Sequence, residues 1–152
     1  MKSTHRKAST AKRKWQADPS SIYRTFAKVQ AFTGDELATL QTPVRIAFER
    51  MRTGCAQDGD FDTLAASINI ALVRGEAIDP LCVETAYKAQ EGLMRCLARF
   101  ETTGRWGFDG PALQDIPMAI DLYEQMLTLS TPLQMHSAMQ ETVTRMNKGV
   151  TL

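Results

Sequence analysis

The chain has 152 residues, 43% of them hydrophobic and 23% charged, a composition typical of one globular domain and not of a fibrous or fully disordered chain. No apolar stretch reaches the ~20 residues that a bilayer-spanning helix needs, which excludes a membrane-spanning function. The net charge of +1 hides an asymmetry. Residues 1–19 contain six basic residues and one acid, a net charge of +5, and the remainder carries −4, so a basic arm precedes an acidic body.

The basic arm contains almost no apolar side chain except alanine and Trp15. It cannot bury enough surface to offset the entropy of ordering, so we expect a disordered basic tail over residues 1–19 and a folded domain over residues 20–152. The tail is not a secretory signal, because no apolar stretch follows its charged start. It is similar to an organellar transit peptide in composition, but it merges into the domain without a boundary typical of cleavage.

The tail is also a candidate nucleic-acid-binding arm. Its cations can contact phosphates with an affinity that falls with salt, and Trp15 beside Arg13 and Lys14 is suited to stacking on a base. The residues that we assign to this role are Arg6, Lys7, Lys12, Arg13, Lys14 and Trp15. A solubilising or partner-binding terminus explains the same composition, and both interpretations stay open.

The first helical patterns follow Pro19. Apolar residues spaced by three and four predict a helix, and they are Ile22, Phe26, Val29 and Phe32. After Thr33-Gly34 a second stripe runs to Gly54 and consists of Leu37, Leu40, Val44, Phe48 and Met51. Within it, either the helix kinks at Pro43, or Thr42 caps a new helix with Pro43 in its first position.

Two helices are predicted between residues 60 and 104. Asp60 is the expected N-cap of the first, which ends at Gly75. Its predicted buried face consists of Leu64, Ile68, Ala71 and Leu72. Asp79-Pro80 begins the second, Gly104 ends it, and Gly92 inside it is expected to weaken it by about 1 kcal/mol. The second buried face is predicted to contain Leu81, Ala86, Leu93, Leu97 and Phe100.

The last two helices follow the glycine-rich loop 104–110. The first of them starts at Asp109, and Pro117 is expected to bend it; its predicted inward residues are Leu113, Ile116, Ile120, Tyr123 and Leu127. The second follows Ser130-Thr131-Pro132, with Leu133, His136, Met139, Val143 and Met146 predicted to face inward. Because no segment alternates like a strand, the sequence predicts an all-α, single-domain bundle of five or six helices with a disordered basic N-terminal tail.

Residue types that serve metals and catalysis occur without the required spacing. The three cysteines (Cys55, Cys82 and Cys96) form no CxxC pair, and the only histidines are His5 and His136, so we expect reduced structural thiols in a cytoplasmic protein and no zinc site. No orienting partner lies at helical spacing from His136, so no nucleophile–base arrangement is visible. We therefore predict no catalytic residue, no cofactor, no metal and no enzymatic activity.

An acidic cluster deserves comparison with a calcium-binding loop. Asp58, Asp60 and Asp62 match the start of such a loop, but its sixth and twelfth positions hold Thr63 and Asn69 instead of glycine and glutamate. Favourable charge and capping at a helix start explain the acids better.

The loop 104–110 offers a candidate partner-binding site. Arg105 and Trp106 are residue types that anchor protein interfaces, and we predict them to bind a partner. The alternative is that the loop folds back over the end of the bundle, which we favour for Phe108. Five of the eight methionines lie in the last two helices, where core filling is more typical than an adaptable binding groove.

Several segments together resemble small proteins carried by phages, prophages and plasmids of Gram-negative bacteria. The residues that carry the resemblance are Lys12-Arg13-Lys14, Asp60-Phe61-Asp62-Thr63-Leu64, Thr103-Gly104-Arg105-Trp106, Gly110-Pro111-Ala112-Leu113 and Ala119-Ile120-Asp121-Leu122-Tyr123. Pro117 departs from the pattern. The resemblance implies a mobile-element accessory protein and transfers no active site.

The sequence favours one function over an alternative. The leading hypothesis is a non-enzymatic mobile-element accessory protein that binds a protein partner and so modulates host or element machinery. The alternative is a nucleic-acid-associated transcriptional regulator that uses the basic N-terminal arm.

Overall fold

The computed structural model describes residues 30–152, and within them it contains five α-helices and no strand. The helices are α1 (Gly34–Thr53), α2 (Asp60–Gly75), α3 (Pro80–Thr103), α4 (Gly110–Leu129) and α5 (Pro132–Asn147). The predicted all-α bundle is confirmed. The predicted tail over residues 1–19 and the residues Ile22, Phe26 and Val29 of the first predicted helix lie outside the described residues. The assignment of Phe32 to that helix is wrong, because residues 30–33 are not helical.

Local start and stop signals fix most helix ends. Asp79 and Asp109 cap α3 and α4 by accepting hydrogen bonds from main-chain N–H groups two or three residues ahead, as expected for N-caps. Thr33 and Thr131 form capping boxes at α1 and α5. Gly104 ends α3 with a positive φ of 67°, a conformation that side chains other than glycine rarely adopt.

The expected capping role of Asp60 is wrong. Asp60 is the first residue of α2, and the N-cap is Gly59, which makes no side-chain cap. The Asp60 carboxylate instead accepts a hydrogen bond of 2.7 Å from the main-chain N–H of Gln57 and lies 3.6 Å from the Arg50 guanidinium. This nearly buried acid therefore fastens the α1–α2 connection.

Both internal prolines lie within continuous helices. α1 runs through Pro43 and α4 runs through Pro117, so a separate helix capped by Thr42 is the wrong alternative. Each proline removes one main-chain donor, and the flanking turns and packed faces hold the helix together around it.

The core forms around α2, which packs against all four other helices, whereas α1 and α5 do not pack against each other. Large apolar side chains fill the space between the helices, and the most deeply buried are Met51, Leu64, Ile68, Leu93, Ile116, Ile120, Met126 and Leu127. The predicted face of α2 is confirmed in full, because Leu64, Ile68, Ala71 and Leu72 are all buried.

The predicted inward face of α5 is wrong. The helix turns Met135, Ala138 and Thr142 toward the bundle. The predicted inward residues Leu133, His136, Met139, Val143 and Met146 are exposed instead. The apolar arc of α5 is wider than the face that α2 covers, and the small side chains of Ala138 and Thr142 allow the close approach. Leu81 and Leu113 in α3 and α4 are likewise exposed instead of buried.

Gly92 lies where the α3 backbone packs closely against Ala112 of α4. A Cβ atom at this position would lie 3.0 Å from the Ala112 Cβ and 3.3 Å from the Ala112 Cα. Glycine at this position therefore lowers the helix propensity of α3 but permits the two helices to pack closely.

We expect Gly92→Ala to lower the free energy of unfolding by about 1 kcal/mol, although alanine is the better helix former. The reason is that overpacking against the α4 backbone costs about 1–3 kcal/mol and outweighs a propensity gain of about 1 kcal/mol. Urea unfolding followed by circular dichroism measures the change. Gly34→Ala is the control, since an added Cβ there meets nothing within 4 Å; a Gly92→Ala chain as stable as that control contradicts the prediction.

Candidate functional site

The loop after α3 is tied to the end of the bundle by aromatic stacking. The Trp106 ring lies between Phe100, at a centroid distance of 4.0 Å, and Phe61, at 5.3 Å, with interplanar angles of 7° and 20°. Phe108 stacks on Phe48 at 5.5 Å. The loop therefore folds back over the bundle, as we favoured for Phe108.

The two residues predicted to bind a partner lie in different environments. Arg105 is exposed, and its main-chain N–H donates to the Thr103 Oγ1 at 3.2 Å. Trp106 is half-buried, and its ring stacks on both Phe61 and Phe100. The guanidinium of Arg95 in α3 forms a 2.5 Å ion pair with Asp109, which lies near the end of the loop. The partner-binding role of Arg105 and Trp106 stays a prediction, with Arg105 as its accessible member.

A row of large apolar side chains runs along the outer surface of α5. We call Met139, Val143 and Met146 the α5 strip; they are spaced by four and three residues and are 44%, 52% and 43% exposed. Leu133, also exposed, lies on another face of the helix beside Val73 and Arg74. Single exposed apolar residues are ordinary on protein surfaces, but several on one helix produce a continuous apolar face, which is typical of an interaction site.

A groove adjoins this strip at the gap between α1 and α5. We call it the α1–α5 groove, and it has a volume of about 250 Å³. Phe32 and Leu40 line one side, and His136 and Met139 line the other. The groove was not predicted from the sequence, because it exists only where α1 and α5, which are far apart in the chain, do not pack against each other. The only local signal was that α5 carries more apolar residues than one packed face requires.

Polar contacts at both ends hold α5 in place. Near its start, Arg74 of α2 donates to the Ser130 hydroxyl at 2.9 Å. Near its end, Arg145 donates to both carboxylate oxygens of Glu76, at 2.7 and 2.8 Å, and to Glu141 at 2.8 Å. The hydrogen bonds from Arg145 lower the pKa of Glu76 below its ordinary value of 4.5. The strip is therefore presented by a helix with a fixed orientation.

A buried polar cluster joins α2, α3 and the C-terminal residues. The amide of Asn69 donates to the main-chain oxygen of Leu152, and its side-chain oxygen accepts from Gln90 at 2.7 Å and Thr151 at 3.1 Å. Each buried polar group is thereby satisfied. Sequence reasoning also missed this cluster, although a lone Asn between Ile68 and Ile70 was a usable signal.

The surface charge of the described part is mainly acidic. Residues 30–152 contain ten basic and sixteen acidic residues, a net charge of −6. Six of those basic residues form ion pairs, namely Arg45, Arg50, Arg52, Lys88, Arg95 and Arg145. The described body therefore offers few free cations for phosphate binding. The predicted nucleic-acid-binding residues Arg6, Lys7, Lys12, Arg13, Lys14 and Trp15 lie outside it.

Reactive groups are scattered over the described residues. Cys55 is exposed, Cys82 is half-buried and Cys96 is buried, and burial raises the pKa of the Cys96 thiol. Within residues 30–152 no three His, Cys, Asp or Glu side chains are grouped to hold a metal ion. In the same range, no helix combines the length and apolarity needed to cross a membrane. The α1–α5 groove provides apolar burial, with His136 as a polar group on its wall.

We expect Trp106→Ala to lower the free energy of unfolding by about 2 kcal/mol, because it removes a half-buried ring from a three-ring stack. Thermal and urea unfolding measure the loss. Arg105→Ala is the neighbouring control and should stay within about 0.5 kcal/mol of the unmodified chain, since its side chain is exposed. Equal stability of the two variants would show that the stack contributes little.

A second prediction concerns pH and the attachment of α5. Since Arg145 lowers the pKa of Glu76, the ionised carboxylate stabilises the fold above pH 4.5, and this contribution disappears as the pH falls through the folded-state pKa. Glu76→Gln should therefore be less stable at pH 7, by at most about 1 kcal/mol for this solvent-exposed pair, and the difference should shrink as the pH falls through the folded-state pKa of Glu76.

Urea unfolding of both chains across pH 7 to 3 tests this convergence. Glu84→Gln is the control, because it removes the exposed pair with Lys88 within α3 and leaves α5 attached. A constant stability difference between the Glu76→Gln and unmodified chains at every pH argues against the ion pair as its cause.

Comparisons with known proteins found no relative of this chain. No protein family, no curated protein and no solved structure matches the chain. The function has to be inferred from the residues and surfaces described above.

Proposed function

We propose that this chain is a non-enzymatic accessory protein of a mobile genetic element and acts in the cytoplasm by binding a protein partner. The observation that carries the proposal is the α5 strip, whose three large apolar side chains are each at least 43% exposed. Burying such a surface against a partner is favourable by roughly 25 cal/mol per Å² of apolar area.

The shape of the site favours a helical segment of the partner. A convex helix face beside a narrow apolar groove suits recognition of an amphipathic helix, whose apolar side chains enter the groove at spacings of three and four residues. Met139 and Met146 are flexible and polarizable, so they adapt to the shape of an incoming side chain. The net charge of −6 on residues 30–152 favours a partner with basic flanks.

The mobile-element part of the proposal has a separate basis. It rests on the resemblance carried by Thr103-Gly104-Arg105-Trp106 and the other segments quoted above, and the comparisons add nothing to it. The role in modulating host or element machinery is supported by that resemblance, by the acidic body and by the loop that contains Arg105 and Trp106.

The nucleic-acid-associated regulator is the second candidate function. It is favoured by one sequence observation, which is that residues 1–29 contain eight basic residues and one acid. Such an arm suits phosphate contacts. The described body contributes little to this function because most of its cations are already paired with acids.

We expect Val143→Asp to abolish recovery of the partner when the full chain is used as bait in a lysate of a Gram-negative host. When the partner binds, a carboxylate in the centre of the strip loses its hydration and gains no compensating contact. This loss costs several kcal/mol at an interface. Affinity purification with quantitative mass spectrometry measures the loss.

Two control variants make this experiment specific. Met118→Asp places the same charge on a 58% exposed apolar residue of α4, away from the strip, and should retain the partner. Arg105→Ala tests the loop predicted from sequence. Loss with Arg105→Ala but not with Val143→Asp would move the interface to the loop, and equal recovery with all baits would refute a specific partner.

A further inference from the structure

The α1–α5 groove lies where the described chain begins. Phe32 forms part of its wall and is half-buried against the core. Phe32 is also two residues before the start of α1 at Gly34. The described chain therefore begins beside the groove, with the non-helical residues 30–33 leading into α1.

The sequence before Phe32 has the pattern of a helix that needs such a groove. Ile22, Phe26 and Val29 recur at spacings of four and three, which aligns them on one helical face. Asp18-Pro19 repeats the start signal that α3 uses at Asp79-Pro80. The predicted helix thus runs from residue 19 to residue 29, and the non-helical residues 30–33 join it to α1.

Chain connectivity favours this segment over any other occupant. Val29 is three residues from Phe32, so their Cα atoms are at most about 11 Å apart. A segment joined directly to its site has an effective concentration in the millimolar range, whereas a second copy or an external partner loses translational freedom on binding. An isolated helix of this length is marginal in water, so burial of its apolar face is needed to stabilise it.

Charge favours the same occupant. Residues 19–29 contain Arg24 and Lys28 and no acid, while residues 30–152 carry a net charge of −6. Attraction between the two is favourable at moderate ionic strength. The segment therefore fits the groove in apolar spacing and is opposite to the body in sign of charge.

We propose that residues 19–29 of this chain dock in the α1–α5 groove as an amphipathic helix, with Phe26 and Val29 against Leu40 and Met139. The docked segment covers the part of the α5 strip that borders the groove. One consequence rests on the proposed function: a protein partner at the strip competes with the chain's own segment for Met139.

Hydrogen exchange of the full chain tests the contact without any partner. The measured amides are those of residues 22–29. We expect Met139→Asp to raise their exchange rates about tenfold, because the burial of roughly one apolar side chain is lost. Phe26→Asp should raise the same rates to a similar extent, and the two substitutions together should add little further.

The controls separate the alternatives. Met118→Asp should leave these exchange rates unchanged. Met139→Ala, which adds no charge to α5, should raise them by a smaller factor than Met139→Asp. Rates that respond equally to Met139→Asp and Met118→Asp overturn the proposal. Protection that falls on tenfold dilution of the protein also overturns it, because the occupant is then a second copy.

The partner experiment distinguishes failure of this inference from failure of the proposed function. If the segment competes for the strip, Phe26→Asp increases recovery of the partner. Recovery of no partner by any bait refutes the proposed function and leaves the exchange result intact. Recovery that Phe26→Asp leaves unchanged, together with unaltered exchange after Met139→Asp, refutes the docked segment alone.

Discussion

The central constraint in this structure is that α2 has to be covered on all sides. Leu64, Ile68 and Ala71 are completely buried, and each of the other four helices packs against α2. Four neighbours around one short helix cannot all contact one another, and α1 and α5 are left apart. The α1–α5 groove is the direct result of this arrangement. The candidate site therefore follows from how the core is filled, without any specialised loop or catalytic insertion.

Sequence reasoning predicted the helices well because their ends are local. The capping residues Asp79, Asp109 and Thr131 act within one turn of their own position, and the glycine after α3 has a left-handed conformation that few other residues adopt. Asp60 was misassigned because its carboxylate contacts the preceding loop and Arg50 instead of the helix start. Which of these contacts Asp60 makes depends on the position of α1, and the spacing of residues along the sequence does not reveal that position.

The orientation of α5 was unpredictable for a related reason. Its apolar residues extend over an arc wider than one packed face, so periodicity alone shows that the helix is amphipathic but not which edge α2 covers. The answer depends on small side chains, because Ala138 and Thr142 allow a closer approach to α2 than Met139 and Val143 would. The same reasoning explains why the groove was invisible in the sequence. It is bounded by residues more than one hundred positions apart, and only the packed core brings them together.

The distribution of charge connects the two functional hypotheses. Most cations of the described body are held by acids, whereas the first 29 residues carry a large positive excess. The docking proposed for residues 19–29 and the proposed protein partner both use Met139 of the α5 strip. A partner that binds there would have to displace the docked segment. The strength of the apolar contact at Met139 would then set how readily the partner binds, and the basic residues that precede the segment would be left for the phosphate contacts of the second candidate function.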